Sequence, residues 1–369
     1  MKIMSVFGTR PEAIKMAPLV KELEKRPNIK SIVCLTAQHR DMLDQVIEIF
    51  KIKPDYDLNI MKPNQTLSGI TTEVITGIDD VIKKEKPDVI LVHGDTTTAM
   101  AAALAAMNNQ VRVGHVEAGL RTYDKNSPFP EEMNRQIIDR IADFLFAPTE
   151  ESKQNLLDSK ININQKITVT GNTAIDALKI TVLKDYTDEN LEWAKGSRLI
   201  LLTAHRRENI GKPMEQIFTA INQITEKFPD VKVIYPVHLN PKVREIANAK
   251  FANNERVKLI EPLDVLEFHN YMEKAYLIMS DSGGVQEEAP SLGKPVLVLR
   301  DTTERPEGIK AGTLKLVGVE TENIYNQCSE LLTNKESYGK MAQAKNPYGD
   351  GFASKYIVDE LEKEFNNAK

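Results

Sequence analysis

The residues with the types and spacing to do chemistry in this sequence follow short apolar runs. In the first half they are Gly8-Thr9-Arg10-Pro11-Glu12, Ala37-Gln38-His39-Arg40-Asp41, His93-Gly94-Asp95-Thr96 and Glu117-Ala118-Gly119-Leu120-Arg121. In the second half they are Ala204-His205-Arg206-Arg207-Glu208-Asn209, Val237-His238-Leu239-Asn240, Asp281-Ser282-Gly283-Gly284 and Arg300-Asp301-Thr302-Thr303-Glu304-Arg305-Pro306. Five of the six histidines (39, 93, 115, 205 and 238) lie at or just beyond the end of such a run, and only His269 sits in a helical segment. Arginines and glycines in these places suit an anion. Histidines and carboxylates there suit proton transfer, provided burial moves a pKa toward the working pH.

Each motif also has a plainer reading. Asp281-Ser282-Gly283-Gly284 precedes a helix-like stretch, Val285–Ala289, so free amides at a helix start are available to a phosphate. Ser282 or Asp281 acting as a simple helix cap is the alternative, and Glu287 and Glu288 fall in what reads as the first helical turn. Gly8-Thr9-Arg10-Pro11-Glu12 matches neither GxGxxG nor GxxxxGK[ST], which removes the dinucleotide and P-loop readings. Arg10 and Lys15 still suit a phosphate or a base. Asp95, Glu117 and Glu131 are carboxylates from three different connections, although Asp95 can equally cap the next helix and Glu131 follows Pro130 as a helix-start acid. There is no HExxH, no closely spaced Cys/His set and no GxSxG, so neither a metal site nor a nucleophilic serine is expected.

The elements that must position these groups show as an alternation of short β-rich runs with longer segments of helical period, the signature of repeated βαβ units. Strands are expected at 2–7, 32–36, 89–92, 111–116, 144–147 and 166–169, then at 199–203, 232–236, 257–260, 277–279, 296–299 and 313–317. A length of 369 residues exceeds the roughly 250–300 at which one core stops growing, so two domains are expected. The first spans 1–170, joined by a C-terminal helix within 355–369, and the second 171–350; Gly171-Asn172-Thr173 reads as the hinge and the polar segment 185–197 as a connection. In an open parallel sheet ligands bind beyond the carboxyl ends of the strands, which is where the reactive groups fall. A net charge of −5, from 48 Lys and Arg against 53 Asp and Glu, argues against a nucleic-acid partner. No run of about 20 apolar residues is present and the first residues are soon polar, so no membrane partner and a cytoplasmic location are expected. The two cysteines, Cys34 and Cys328, read as core residues.

The strings FGTRPEAIKMAPL, TAQHRDML, VHGDTTT, GHVEAGLRT, SPFPEEMNRQ, TGNTAIDAL, TAHRREN, SDSGGVQEEAPSLGKPVLVLRDTTERPE and NPYGDG, in this order, resemble bacterial non-hydrolysing UDP-N-acetylglucosamine 2-epimerases. The resemblance runs from Lys2 to about Leu361. It implies an α/β chain of the GT-B type: two Rossmann-like doubly wound parallel-sheet domains, the active site in the cleft between them, and usually a homodimer. It implies reversible interconversion of UDP-N-acetylglucosamine and UDP-N-acetylmannosamine for cell-surface polysaccharide, with neither cofactor nor metal. The implied course is anti elimination of UDP to 2-acetamidoglucal, then return of UDP to C1 with protonation of C2 on the opposite face.

Carried onto matching positions, the resemblance places Ser282, Gly283 and Gly284 on the pyrophosphate and Glu288 on the ribose hydroxyls. Arg10 and Phe268 fall around the uridine, and Lys15, His205 and Arg305 near the diphosphate or sugar. Asp95, Glu117, Glu131 and His205 become the catalytic set. Many members bind a second UDP-N-acetylglucosamine as an allosteric activator, and Gln38, Glu131, Arg206 and His238 match residues of that second site. Asp41 stands where Gln is common and Asn64 where Arg is common, which weakens the grip on a second diphosphate. The rival readings of the same residues are a hydrolysing epimerase releasing free N-acetylmannosamine and UDP, a GT-B glycosyltransferase and a nucleotide-sugar sensor; free sugar, acceptor dependence and binding without turnover respectively would mark them.

Overall fold

The computed structural model describes residues 1–38, 41–62, 65–160, 164–303 and 305–367, the side chains of residues 41, 42 and 367 excepted. His39, Arg40, Asn64 and Glu304 therefore lie outside the described residues. The chain divides into two compact units, Met1–Ile180 with Tyr348–Lys369, and Thr181–Pro347.

In the first unit the strands are β1 (Lys2–Phe7), β2 (Lys30–Leu35), β3 (Tyr56–Asp57), β4 (Val89–His93), β5 (Arg112–Val116), β6 (Phe144–Ala147) and β7 (Lys166–Val169). Between and after them run α1 (Arg10–Glu24), α2 (Asp41–Ile49), α3 (Leu67–Glu85), α4 (Thr97–Asn108), α5 (Glu131–Ile141), α6 (Glu150–Asp158) and α7 (Thr173–Thr181). All pairings are parallel, in the order β3-β2-β1-β4-β5-β6-β7. The order reverses between β1 and β4, so the loops after these strands diverge and leave a crevice at their carboxyl ends.

The second unit repeats the plan. It holds α8 (Glu189–Ala194), β8 (Arg198–Thr203), α9 (Lys212–Lys227), β9 (Val231–Pro236), α10 (Pro241–Phe251), β10 (Val257–Ile260), α11 (Val265–Lys274) and β11 (Leu277–Ser280). It continues with α12 (Gly283–Glu288), β12 (Val296–Val298), α13 (Pro306–Ala311), β13 (Leu314–Leu316), α14 (Thr321–Thr333) and α15 (Lys335–Ala342). Its sheet is parallel in the order β10-β9-β8-β11-β12-β13, with the reversal between β8 and β11.

The fold class is the expected one: two doubly wound parallel-sheet α/β domains. Each of the twelve expected runs is a strand. The thirteenth, β3, has two residues beside the edge of β2, too short for a periodicity signal. The central strands read as continuous Val, Ile and Leu because helices cover both faces, and each sheet lies in its own apolar core.

The last helix, α16 (Ala353–Asn367), packs on α1. Its return to the first unit explains two glycines. Gly171 has φ +85 and its missing Cβ would lie 3.1 Å from the Cα of Gly349, itself at φ +122, so two backbones touch where no side chain fits. The amide of Asn172 donates to the Tyr348 carbonyl (2.7 Å), and the Asp176 carboxylate of α7 accepts the Ala353 and Ser354 amides at the start of α16 (3.1 and 2.8 Å). Both cysteines are buried; burial pushes the Cys34 thiol up to about 12 and Cys328 up as well, which leaves them inert.

Candidate active site

In the first unit the reactive groups gather beyond β1, β4 and β5. His93 ends β4, and Glu117 follows β5 in a left-handed conformation, φ +67, with its side chain beside His93 and Lys15 of α1. The Glu117 carboxylate is almost buried. It accepts from Lys15 Nζ (2.5 Å) and Asn172 Nδ2 (2.8 Å) on one oxygen, while the other lies 3.3 Å from His93 Nε2. His93 is fully enclosed, and its pKa is pushed down to about 3: burial is the largest cause, Glu117 opposes it, and Lys15 and His115 add to it. At neutral pH this imidazole is uncharged, whereas Lys15 brings a positive charge to Glu117.

Asp95 lies one residue past Gly94, which takes φ +64. It does not cap the next helix, because Thr96 does, through Oγ1 and the Ala99 amide (2.9 Å). Instead its carboxylate accepts from Arg135 Nη2 at 2.6 Å and its carbonyl from Asn134 Nδ2 at 2.9 Å, with the side chain still 28% exposed. A Cβ on Gly94 would lie 3.5 Å from Glu117 Oε2, so the Asp95 turn and Glu117 are neighbours. Glu12 holds the β1 turn by accepting from the Gly8 and Thr9 amides and from the Thr9 and Thr96 hydroxyls; burial raises its pKa against those bonds.

Glu131 opens α5, as a helix-start acid would. The buried carboxylate of that pair is its neighbour Glu132, which accepts the Thr122 and Tyr123 amides (2.9 and 3.1 Å) and Gln136 Nε2. Burial alone would raise its pKa, but these bonds and Arg135 outweigh that and hold it below the ordinary carboxylate value. Arg10 begins α1. Gln38 follows β2 and accepts from the Thr98 hydroxyl (2.9 Å).

In the second unit the corresponding loops follow β8, β9 and β11. Asp281 is fully buried, and one of its oxygens accepts the His205 and Arg206 amides and Asn209 Nδ2 at 2.9 to 3.0 Å, which folds the loop after β8 onto the end of β11. Its other oxygen lies 3.5 Å from His205 Nδ1. Burial lowers the His205 pKa, with Asp281 opposing and His238 and Arg206 reinforcing the shift. The His205 and His238 rings stack at 5.5 Å with 10° between planes.

Ser282 is the N-cap residue of α12, yet its side chain caps nothing, so the capping reading of this motif fails. Helix α12 begins at Gly283, which moves Glu287 and Glu288 from the expected first turn to its last. Glu288 lies beside Gly284, whose Cβ would sit 3.9 Å from Oε1, and 3.6 Å from His269 Nε2. Phe268 is half-buried on α11, beside His269. Glu287 accepts from Arg305 Nε (2.8 Å), while Gln286 accepts the Thr303 hydroxyl (2.6 Å), which in turn accepts the Arg305 amide. These bonds hold Arg305 against the later part of α12.

The structure thus brings Lys15, Asp95 and Glu117 together in the first unit, and His205, Arg206 and His238 in the second, where Glu288 also lies beside Gly284 and Arg305 bonds to Glu287 of the same helix. Asn134, Arg135 and Asp139 were not singled out from sequence, and Asn172 reads there only as part of a hinge. The helical spacing of Arg135 and Asp139, four apart, was the available signal. Among the described residues no group of three or more His, Cys, Asp or Glu is placed to hold a metal, and no helix is long and apolar enough to cross a membrane.

Two doubly wound parallel-sheet domains with cations, a Gly-Gly turn and carboxylates at their strand ends define a protein of the GT-B class. The family model described as UDP-N-acetylglucosamine 2-epimerase matches residues 21–362. The UDP-N-acetylglucosamine 2-epimerase of Bacillus subtilis is 61% identical over 361 residues, 98% of this chain and 95% of its own length. A crystal structure of the UDP-GlcNAc 2-epimerase of Neisseria meningitidis bound to UDP-GlcNAc superposes with a TM-score of 0.87 at 53% identity, covering 98% of this chain and 100% of that one. The Methanocaldococcus jannaschii enzyme in complex with UDP-GlcNAc and UDP gives a TM-score of 0.78 at 38% identity, covering 98% and 100%. The chain belongs to the UDP-N-acetylglucosamine 2-epimerase family.

Proposed function

We propose that this chain interconverts UDP-N-acetylglucosamine and UDP-N-acetylmannosamine without hydrolysis. The observation that carries the reading is the pair of carboxylates at the β4 and β5 ends, each paired with a cation: Glu117 with Lys15 and Asp95 with Arg135. Inverting C2 requires a proton to leave one face and another to arrive on the opposite face, so two separately held acid/base groups are needed. In the elimination the C2 proton passes to a carboxylate, its electron pair forms the C1–C2 double bond, and the C1–O bond breaks with its electrons leaving on UDP. Return of UDP to C1, with protonation of C2 from the other side, completes the exchange.

Charge that develops on the departing diphosphate is stabilised by fixed cations and donors. Arg305 and the uncapped Ser282-Gly283-Gly284 turn supply these, with Glu288 for the ribose and Arg10 and Phe268 for the uridine. His205, whose pKa is lowered by burial, is available to accept a proton near the diphosphate. Glu131 is the third carboxylate of the set. A second UDP-N-acetylglucosamine, bound through Gln38, Arg206 and His238, is proposed as an activator, and a homodimer as the working form. The relatives named as UDP-N-acetylglucosamine 2-epimerases, two of them solved with UDP-GlcNAc, support this substrate. The test is product analysis by phosphorus and proton NMR after addition of UDP-N-acetylglucosamine. Accumulation of UDP-N-acetylmannosamine with no free sugar is expected; free N-acetylmannosamine appearing in step with UDP would overturn the non-hydrolysing assignment.

A further inference from the structure

His115 and Asp139 lie outside every role assigned above. His115 sits in β5 in register with Val92 of β4 and Leu145 of β6, an interior strand position where an apolar residue would cost nothing. It is fully buried, and both of its ring nitrogens are engaged. Nε2 lies 2.7 Å from the Gly94 carbonyl, which can only accept, so Nε2 carries a hydrogen and donates. Nδ1 lies 2.6 Å from Asp139 Oδ1, and the other Asp139 oxygen pairs with Arg121 Nη1 at 2.6 Å. Arg121 in turn donates to the Leu120 carbonyl, in the segment that follows Glu117.

The carbonyl that His115 grips belongs to the Gly94–Asp95 peptide. The amide of Gly94 is bound to the Val116 carbonyl (2.9 Å), so this residue is pinned at both ends before Asp95 begins. Asp95 itself is held by Asn134 and Arg135 of α5, the helix that supplies Asp139. The turn is therefore laced to one helix at three points, and one of those runs through a buried histidine.

We propose that His115 and Asp139 are a positioning pair: they fix the peptide before Asp95 and so set where its carboxylate meets the C2 proton, without touching the substrate. This rests on the epimerase reading of Asp95. A displacement of about 1 Å at a reacting group costs on the order of 10²-fold in rate, so the pair acts on turnover rather than on binding. Asp139→Asn and His115→Asn should lower kcat by roughly 10- to 100-fold and leave KM and the affinity for UDP close to those of the parent. The decisive readout is a double-mutant cycle with Asp95→Asn. If the pair acts through Asp95, its loss should matter little once Asp95 is already changed. Should the buried variants fail to fold, Asn134→Ala cuts only the bond to the Asp95 carbonyl, and it should likewise lower kcat in the parent but not in Asp95→Asn. A folded Asp139→Asn enzyme with parental kcat would overturn the positioning pair, as would a fall in kcat that persists undiminished in the Asp95→Asn background. An Asp95→Asn enzyme with parental turnover would overturn both this proposal and the role of Asp95, whereas a crippled Asp95→Asn beside an active Asp139→Asn would overturn the pair alone.

Discussion

Acidification should destabilise the first unit through His93. This imidazole is 5% exposed, and its pKa falls from an ordinary 6.5 to about 3, chiefly through burial. Between those two values the unfolded chain binds a proton that the folded chain refuses, so stability is complete above about pH 6.5 and declines as the pH drops below it. For a single group moved from 6.5 to about 3, the loss on going from pH 8 to pH 5 is about 2 kcal/mol, since each pH unit below the unfolded value costs about 1.4 kcal/mol. Other groups titrate in the same range, so the quantity to measure is a difference. Urea unfolding of the parent and of His93→Gln, followed at both pH values by a probe in the first unit, gives it. At pH 8 the variant should be the less stable, having lost a packed core side chain. At pH 5 the gap should have narrowed by about 2 kcal/mol, because only the parent carries the histidine. A gap that stays constant or widens would refute the claim that His93 is held uncharged.

Gly119→Ala should destabilise by about 2 kcal/mol or more, measured as a shift in the urea midpoint of the first unit. Gly119 has φ +87, and a Cβ there would come within 2.2 Å of the Ser152 carbonyl of α6, a backbone atom that cannot step aside. Glu117→Gln should lower turnover by roughly 10²-fold or more, the scale of a lost acid/base group. It should also cost about 1–3 kcal/mol of stability, because the ion pair between Lys15, 15% exposed, and Glu117 is lost; Lys15→Met added to Glu117→Gln should recover part of that stability and none of the rate.

The sequence carried the sheets and the placement of reactive groups at strand ends, because an interior parallel strand must be apolar on both faces and its polar terminus then stands out. Asp95, Glu117, His205 and the Ser282-Gly283-Gly284 turn were legible for that reason. What was hidden depends on direction. Glu131 and Glu132 look equivalent in the string Pro130-Glu131-Glu132, yet only a helix of known phase shows that Glu132 is the one turned inward to the Thr122 and Tyr123 amides. Asn134, Arg135 and Asp139 read as ordinary helix polarity until their partners on the β4 and β5 loops are known. Asn172, in a segment read as a hinge, gives its amide to the Tyr348 carbonyl and its side chain to Glu117, a contact between residues far apart in the chain. Ser282 illustrates the reverse case: a serine at a helix start is expected to cap, and here its hydroxyl makes no cap bond, which only the local backbone geometry shows.

The central claim is that C2 loses its hydrogen and regains one from solvent while UDP is detached. Incubation with UDP-N-acetylglucosamine in D₂O, followed by mass spectrometry and proton NMR of both epimers at equilibrium, tests it directly. The account predicts deuterium at C2 of UDP-N-acetylglucosamine and of UDP-N-acetylmannosamine alike. Formation of UDP-N-acetylmannosamine with the original hydrogen still at C2 would contradict it.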